Sequence, residues 1–159
     1  MSNSRVPEAK FEFHHRQPVQ LRFNDIDMLG HLNNSVYIQL MDLGKANYFH
    51  QFIDGRLDHD NLAIVVANIN CDFHAPSFLH EHLVVKTATL GISEHSLLLE
   101  QRIVEKSTGE LKCICRTIMV GFNPSTNQSQ EIALDARARL EAFEGRALPP
   151  YTPESSPFY

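Results

Sequence analysis

The period of apolar positions changes along the chain, and each change marks an element. Between Ser35 and Phe52 the apolar residues Tyr37, Leu40, Met41, Tyr48 and Phe52 recur at helical spacing with small Gly44 on their face, which predicts one long, largely buried helix. Asn33, Asn34 or Ser35 can cap its start, because a short polar side chain there satisfies a backbone N–H that has no helical partner. Gly44 costs about 1 kcal/mol against Ala in a helix, so its presence points to close packing, as against a sheet. Asp54-Gly55 and the polar stretch to Asn61 then turn the chain.

Downstream the period shortens. Four runs, "LAIVVANINCDFHA" (62–75), "HLVVKTATLGI" (82–92), "SLLLEQRIVEK" (96–106) and "ELKCICRTIMVGF" (110–122), alternate over part of their length. Pro76-Ser77, Gly91 to Glu94 and the hairpin signal Ser107-Thr108-Gly109 separate them. Four strands in succession predict an antiparallel meander, and a first strand at 17–23 can join its edge. "EIALDARARLEAF" (131–143) predicts a second, amphipathic surface helix. These elements give an α+β class, a hot-dog architecture in which a curved antiparallel sheet of about five strands wraps a long central helix. Residues 1–16 are expected to be a flexible lead, 17–145 one domain, and the Pro- and Ser-rich 146–159 an extended or disordered tail.

Composition narrows the partners. With 159 residues and 43% hydrophobic content the chain can bury one sizeable core. A net charge of -5 and scattered Lys and Arg disfavour a nucleic-acid surface, leaving a small-molecule or protein partner. No run reaches the roughly 18 apolar residues of a membrane span, and the polar start lacks a signal-peptide core, so a cytoplasmic protein is expected. Cys71, Cys113 and Cys115 are an odd set that fits reduced thiols, with Cys113 and Cys115 read as buried strand neighbours in preference to a metal pair.

The densest chemistry lies in "RFNDIDMLGHLNN" (22–34). It leads into the start of the long helix, where free N–H groups and the helix dipole favour an oxyanion. Asp25 and Asp27 stand beside it, pointing the same way if the segment stays extended. A carboxylate next to an oxyanion hole suits acyl transfer, as nucleophile or as base toward water. A thiol, with a pKa near 8.5, leaves as thiolate without a general acid, so this sparse equipment is adequate for a thioester. The same aspartates could instead build Asx-turns, His31 could bond backbone, and Asn33 and Asn34 could be caps. His80 and His82 flank Glu81 at strand spacing, but a third ligand is missing and an exposed approach to a strand explains them better; no metal is expected. Asp42, on the helix, is read as a buried polar residue near the same site.

The stretch "VQLRFNDIDMLGHLNNSVYIQLMDLGKANYF" (19–49) resembles the opening of acyl-CoA thioesterases of the 4-hydroxybenzoyl-CoA thioesterase-like family, in which a D-x-D-x-x-G-H-x-N-N strand end runs into the central helix. A looser likeness continues through "NCDFHAPSFLHEHLVV" (70–85), and the whole covers about residues 17–123. The resemblance implies hydrolysis of acyl-CoA to a free acid and CoA, with Asp27 as nucleophile or general base and backbone N–H groups near Asn33 to Ser35, those of Asn34 and Ser35 foremost, as oxyanion hole. It implies no cofactor, CoA being part of the substrate, and a homodimer or homotetramer with joined sheets and the active site at the subunit interface. Another branch of that family uses a helix carboxylate, a role open to Asp42, but Asp27 lies within the more specific motif. Lys86, Arg102, Lys112 and Arg116 are candidates for the CoA phosphates on composition alone. Alternatives are an acyl-carrier-protein thioesterase, which the acidic net charge disfavours, and an acyl-CoA-binding protein without turnover.

Overall fold

A computed structural model describes residues 8–51 and 63–151. The first seven residues, the stretch 52–62 with Phe52 and the predicted Asp54-Gly55 turn, and the tail after Tyr151 lie outside the described residues. In chain order the elements are β1 (His15–Val19), a 3-10 turn (Phe23–Asp25), α1 (Asn34–His50), β2 (Ile64–Phe73), β3 (Leu83–Ile92), β4 (Ser96–Glu105), β5 (Leu111–Asn123), β6 (Gln128–Ser129) and α2 (Leu134–Glu144).

The sheet is antiparallel in the order β1-β3-β4-β5-β2, and short β6 pairs with the end of β5. Only part of the expected meander forms. Strands β3, β4 and β5 follow one another, but β2 crosses to the far side of β5 and becomes an edge. The link from β2 to β3 explains this: residues 74–82 are no tight turn, and they are tied down by Leu32 N–H to Ser77 O at 2.8 Å and Lys112 Nζ to Pro76 O at 3.0 Å. The Ser107-Thr108-Gly109 hairpin forms as expected, with the Glu105 carboxylate accepting both the Ser107 and Thr108 N–H groups at 2.8 Å and Gly109 at φ 72°.

Strand β1 starts and ends earlier than the predicted 17–23, because Arg22 and Asp25 fold the chain into the 3-10 turn. Helix α1 buries one stripe, including Tyr37, Leu40, Met41, Gly44 and Tyr48, against the sheet, while Ile38 and Leu43 stay exposed. It is therefore half-covered in this chain, less than the sequence suggests. A Cβ on Gly44 would lie 2.6 Å from Val85 Cγ1, so the sheet does approach there. Two apolar clusters fill the interface: one around Leu32, Tyr37, Met41, Val85 and Cys115, the other around Tyr48, Phe49, Leu97, Leu99 and Leu140. A long helix cradled by a curved antiparallel sheet is the α+β hot-dog arrangement.

The described parts of both flanks, residues 8–14 and 145–151, pack on the body. Phe13 is buried and Phe11 and Phe13 carry Arg146 and Arg102 over their rings, so part of the expected flexible lead packs on the body. After α2, which begins three residues later than predicted and ends at left-handed Gly145, Leu148 and Tyr151 are buried. Their backbone is held by Ile92 N–H to Pro149 O at 2.9 Å and Tyr151 N–H to Ser93 Oγ at 2.8 Å.

Candidate active site

The loop 22–34 closes on itself before the helix begins. Ile26 and Leu32 form an isolated antiparallel bridge, Asp27 N–H donates to His31 O at 2.9 Å, and Gly30 N–H donates to Asp27 O at 3.0 Å. Gly30 sits at φ 81°, a conformation that a side chain resists. This turn separates the two aspartates. Asp25 points inward and is buried, and its carboxylate accepts the Arg22 N–H at 2.7 Å and the Arg22 guanidinium at 3.0 Å. The hydrogen bond from Arg22 holds the Asp25 carboxyl below the usual range, outweighing the opposing effect of burial. Asp27 is half-exposed and accepts the Leu29 N–H on Oδ1 at 2.8 Å, an Asx-turn, which leaves Oδ2 without a partner among the described residues.

Following each N–H at the helix start shows what is left over. Leu32 donates to Ser77 O at 2.8 Å and Asn33 to Asp25 O at 2.9 Å. Asn33 is the cap: its Oδ1 accepts the Ser35 N–H at 2.9 Å and the Ser35 hydroxyl at 2.8 Å, and its carbonyl accepts the Val36 N–H at 2.9 Å. The Asn34 N–H has no acceptor among the described residues.

Two cavities flank this first turn. The larger, about 570 Å³, is lined by Arg22, Phe23, Asn24, Asn33, Ser35 and Gln39. The smaller, about 250 Å³, is lined by Asn34 together with His31, Tyr37, Phe73, His74 and Pro76. Asp27 lines neither cavity, so within one chain the structure brings Asn34 to a pocket and leaves Asp27 beside it across the 27–31 backbone bond. Tyr37 and Phe73 meet edge to face at 5.2 Å, and the Tyr37 hydroxyl donates to Ser77 Oγ at 2.8 Å, which ties the pocket wall to the 74–82 link. Ser77, fully buried, was not legible as a site residue; the Pro76-Ser77 break was the sole signal near it.

Other sequence candidates resolve differently. Asp42 is a surface residue, its side chain 61% exposed and paired with Lys45 at 2.8 Å, because its position faces away from the buried stripe. Lys112 is buried, and its ammonium is used up by Glu81 at 2.7 Å, Glu110 at 2.6 Å and Pro76 O, so it holds the fold rather than a phosphate. Arg102 and Arg116 both pair with buried Glu100. Lys86 has no hydrogen bond or ion pair among the described residues; burial pulls its pKa down, with help from the Arg16 and Arg102 charges. His80 and His82 are exposed before β3, and Glu81 between them serves Lys112 and the Phe78 N–H. Cys113 and Cys115 are buried strand residues with free thiols. Among the described residues one group, exposed Glu94, His95 and Glu131, has ligand atoms within 4.8 Å of one another as a metal site would need, at the β3–β4 turn and the lead into α2. No helix among the described residues is long and apolar enough to cross a membrane.

Known proteins are similar to this chain in sequence and in fold. The acyl-CoA thioester hydrolase YbgC of Escherichia coli is 26% identical over 91 residues, covering 56% of this chain and 68% of that protein. The long-chain acyl-CoA thioesterase FadM of Escherichia coli is 21% identical over 124 residues, 77% of this chain and 94% of FadM. Among solved structures, a thioesterase from Thermus thermophilus, complexed with coenzyme A and Zn, superposes with a TM-score of 0.77 at 29% identity, covering 86% of this chain and 98% of that one. The family description of the thioesterase-like superfamily matches residues 21–140, from just after β1 through the central helix and strands β2 to β6 into α2, and the chain belongs to that superfamily.

Proposed function

We propose that the protein hydrolyses acyl-CoA thioesters, with Asp27 supplying the carboxylate and the Asn34 N–H supplying the oxyanion contact. The observation that carries this reading is the single open N–H at the helix start among the described residues: it belongs to a residue that lines a pocket with Tyr37, Phe73, His31 and His74, at the positive end of the helix dipole. Of the two residues expected to donate, Ser35 has its N–H taken by the Asn33 side chain, so Asn34 is favoured. The names of the relatives, one an acyl-CoA thioester hydrolase and one a long-chain acyl-CoA thioesterase, support the substrate class.

In this reading the thioester carbonyl oxygen accepts the Asn34 N–H, which stabilises the charge that develops as the carbonyl carbon is attacked. The attacking oxygen comes either from a water that gives its proton to Asp27 or from Asp27 itself, and collapse expels CoA as a thiolate that needs no acid to depart. The Asx-turn fixes one Asp27 oxygen and leaves the other for this work. A second copy of the chain is part of the proposal, as a homodimer or homotetramer. Edge strand β2 exposes Val65, Val66, Ile69 and Phe73, 38–47% each, and Asp27 lies outside both cavities of the single chain, so a neighbouring subunit would complete the pocket over it.

The test is thiol release from short, long and aromatic acyl-CoA compounds by wild type and Asp27→Asn. Loss of about 10²-fold or more in kcat with folding intact supports the assignment. Equal turnover by both proteins sinks the role of Asp27, and no turnover by wild type with any of them sinks the substrate class.

A further inference from the structure

The three cysteines meet at one patch of the sheet, and two of them are placed for chemistry that thioester hydrolysis does not use. Cys71 of β2 and Cys115 of β5 are direct cross-strand partners. Both are free thiols, and Cys71 Sγ donates to Cys115 Sγ at 3.0 Å, closer than the roughly 3.5–4.0 Å at which nonbonded heavy atoms ordinarily pack. Directly opposed residues of an antiparallel pair have Cα atoms about 4.5–5.5 Å apart, inside the roughly 4.4–6.8 Å range that a disulfide spans. Cys113 points to the same face but is opposite Phe73, which makes it a diagonal neighbour of Cys71, with Cα atoms about 7–8 Å apart and outside that range.

We propose that Cys71 and Cys115 are an oxidation site, at which a hydroperoxide closes a cross-strand disulfide and staples edge strand β2 to β5. Cys71 is half-buried and Cys115 fully buried, so the oxidant meets Cys71 first. The Cys71 thiolate attacks the peroxide and becomes a sulfenic acid, the O–O bond breaking to release hydroxide. Cys115, giving up its own proton, then attacks the Cys71 sulfur and displaces its hydroxyl. In sum two thiols and one hydrogen peroxide give one disulfide and two waters. The bridge lies on the core side of the sheet, where Cys71 packs against the cluster containing Tyr37, Cys113 and Cys115.

The surroundings set the speed of this step. Contact with the Cys113 thiol is the chief influence that pushes Cys71 up to about 11, and contact with Cys71 together with burial pushes Cys115 up as well. Both thiols keep their protons at neutral pH, so oxidation is slow there. Below pH 11 the thiolate fraction of Cys71 grows about tenfold per pH unit, and the rate grows with it.

The experiment treats the intact protein with hydrogen peroxide at pH 7 and pH 9 and maps peptides without reduction. Expected are a linked Cys71–Cys115 peptide pair, loss of two hydrogens in whole-protein mass, reversal by dithiothreitol, and a rate about 100-fold higher at pH 9. A thiol count in denaturant before treatment identifies a bridge already present, which also supports the proposal. Cys113→Ala keeps the bridge and Cys71→Ala abolishes it. A bridge through Cys113, a bridge between two chains, sulfinic acid without a bridge, or no oxidation after prolonged treatment at pH 9 would each overturn it. None of these readouts depends on the proposed hydrolase activity.

Discussion

The Asp25 carboxylate is enclosed by donors from Arg22, whereas Asp27 keeps one oxygen free at the surface of the same loop. Conversion to the amide should therefore split two effects that a single assay would merge. Asp25→Asn weakens the Arg22 clasp that shapes the 3-10 turn, so its melting temperature should fall while kcat for thiol release stays within about tenfold of wild type. Asp27→Asn should do the reverse, as proposed above, and melting curves run beside kinetics on both variants decide the matter. A second carboxylate answers to pH. Glu105 is drawn from its ordinary 4.5 down to about 2, first by the Ser107 hydroxyl and then by the Thr108 N–H. A depressed pKa contributes stability that is complete above the unfolded value and disappears as pH falls through the folded one. Glu105→Gln should hence melt lower than wild type at pH 7, with the gap closing between pH 4.5 and about 2. A gap that persists unchanged at pH 2 would assign the effect to shape rather than charge. At this scale the sequence was most informative where a side chain serves its own neighbours, as Asn33 does in capping α1 and Ser107-Thr108-Gly109 in turning the hairpin. The burial of Lys112 was not legible because two of its three partners, Pro76 and Glu81, lie 36 and 31 positions away, a distance over which composition says nothing.

Between elements, α1 comes close to β3 at Gly44. Gly44 lets the helix backbone come down on Val85, with Gln101 beside it donating to the Met41 carbonyl at 2.9 Å. Gly44→Ala gains about 1 kcal/mol of helix propensity, yet its methyl group must displace Val85, and overpacking of that kind costs about 1–3 kcal/mol. The variant should be less stable than wild type by chemical denaturation. Val85→Ala alone should also destabilise, while the double variant should recover part of the sum, since the smaller Val85 replacement makes room for the new methyl. Strict additivity would mean that the two positions do not share the contact. The small residue in an apolar helical stripe was enough to read this packing from sequence. Strand order was not readable in the same way: the run 62–75 looks like any alternating strand, and nothing in its own pattern says that it pairs with β5 instead of β3. The 146–151 segment was equally opaque, because Pro and Ser describe a chain without regular structure, and the Ser93, Ile92 and Glu141 groups that fasten it belong to other parts of the fold.

At the scale of the whole molecule, the sheet is closed on neither side among the described residues, and its two edges differ in what they offer. Strand β2 presents Val66, Ile69 and Phe73 to solvent on one face, an apolar row on an edge whose backbone groups are unpaired on one side among the described residues. Such an edge invites strand pairing unless charge or a covering segment blocks it, and the described part of this strand carries a single charged side chain, Asp72. Phe73 also walls the smaller cavity, so a partner seated along β2 would come to rest beside Asn34 and over the loop that carries Asp27. If the proposed oligomer uses this edge, a cation in the apolar row should undo assembly and activity together. Ile69→Lys is expected to sediment as a monomer at concentrations where wild type does not, with circular dichroism unchanged because Ile69 is already partly exposed. Its thiol release should fall although Asp27 and Asn34 are intact, and raising the protein concentration should restore part of the lost rate as the weakened interface refills. A monomeric variant with full specific activity would show that one chain suffices for the chemistry, and a variant that sediments like wild type would place the interface elsewhere.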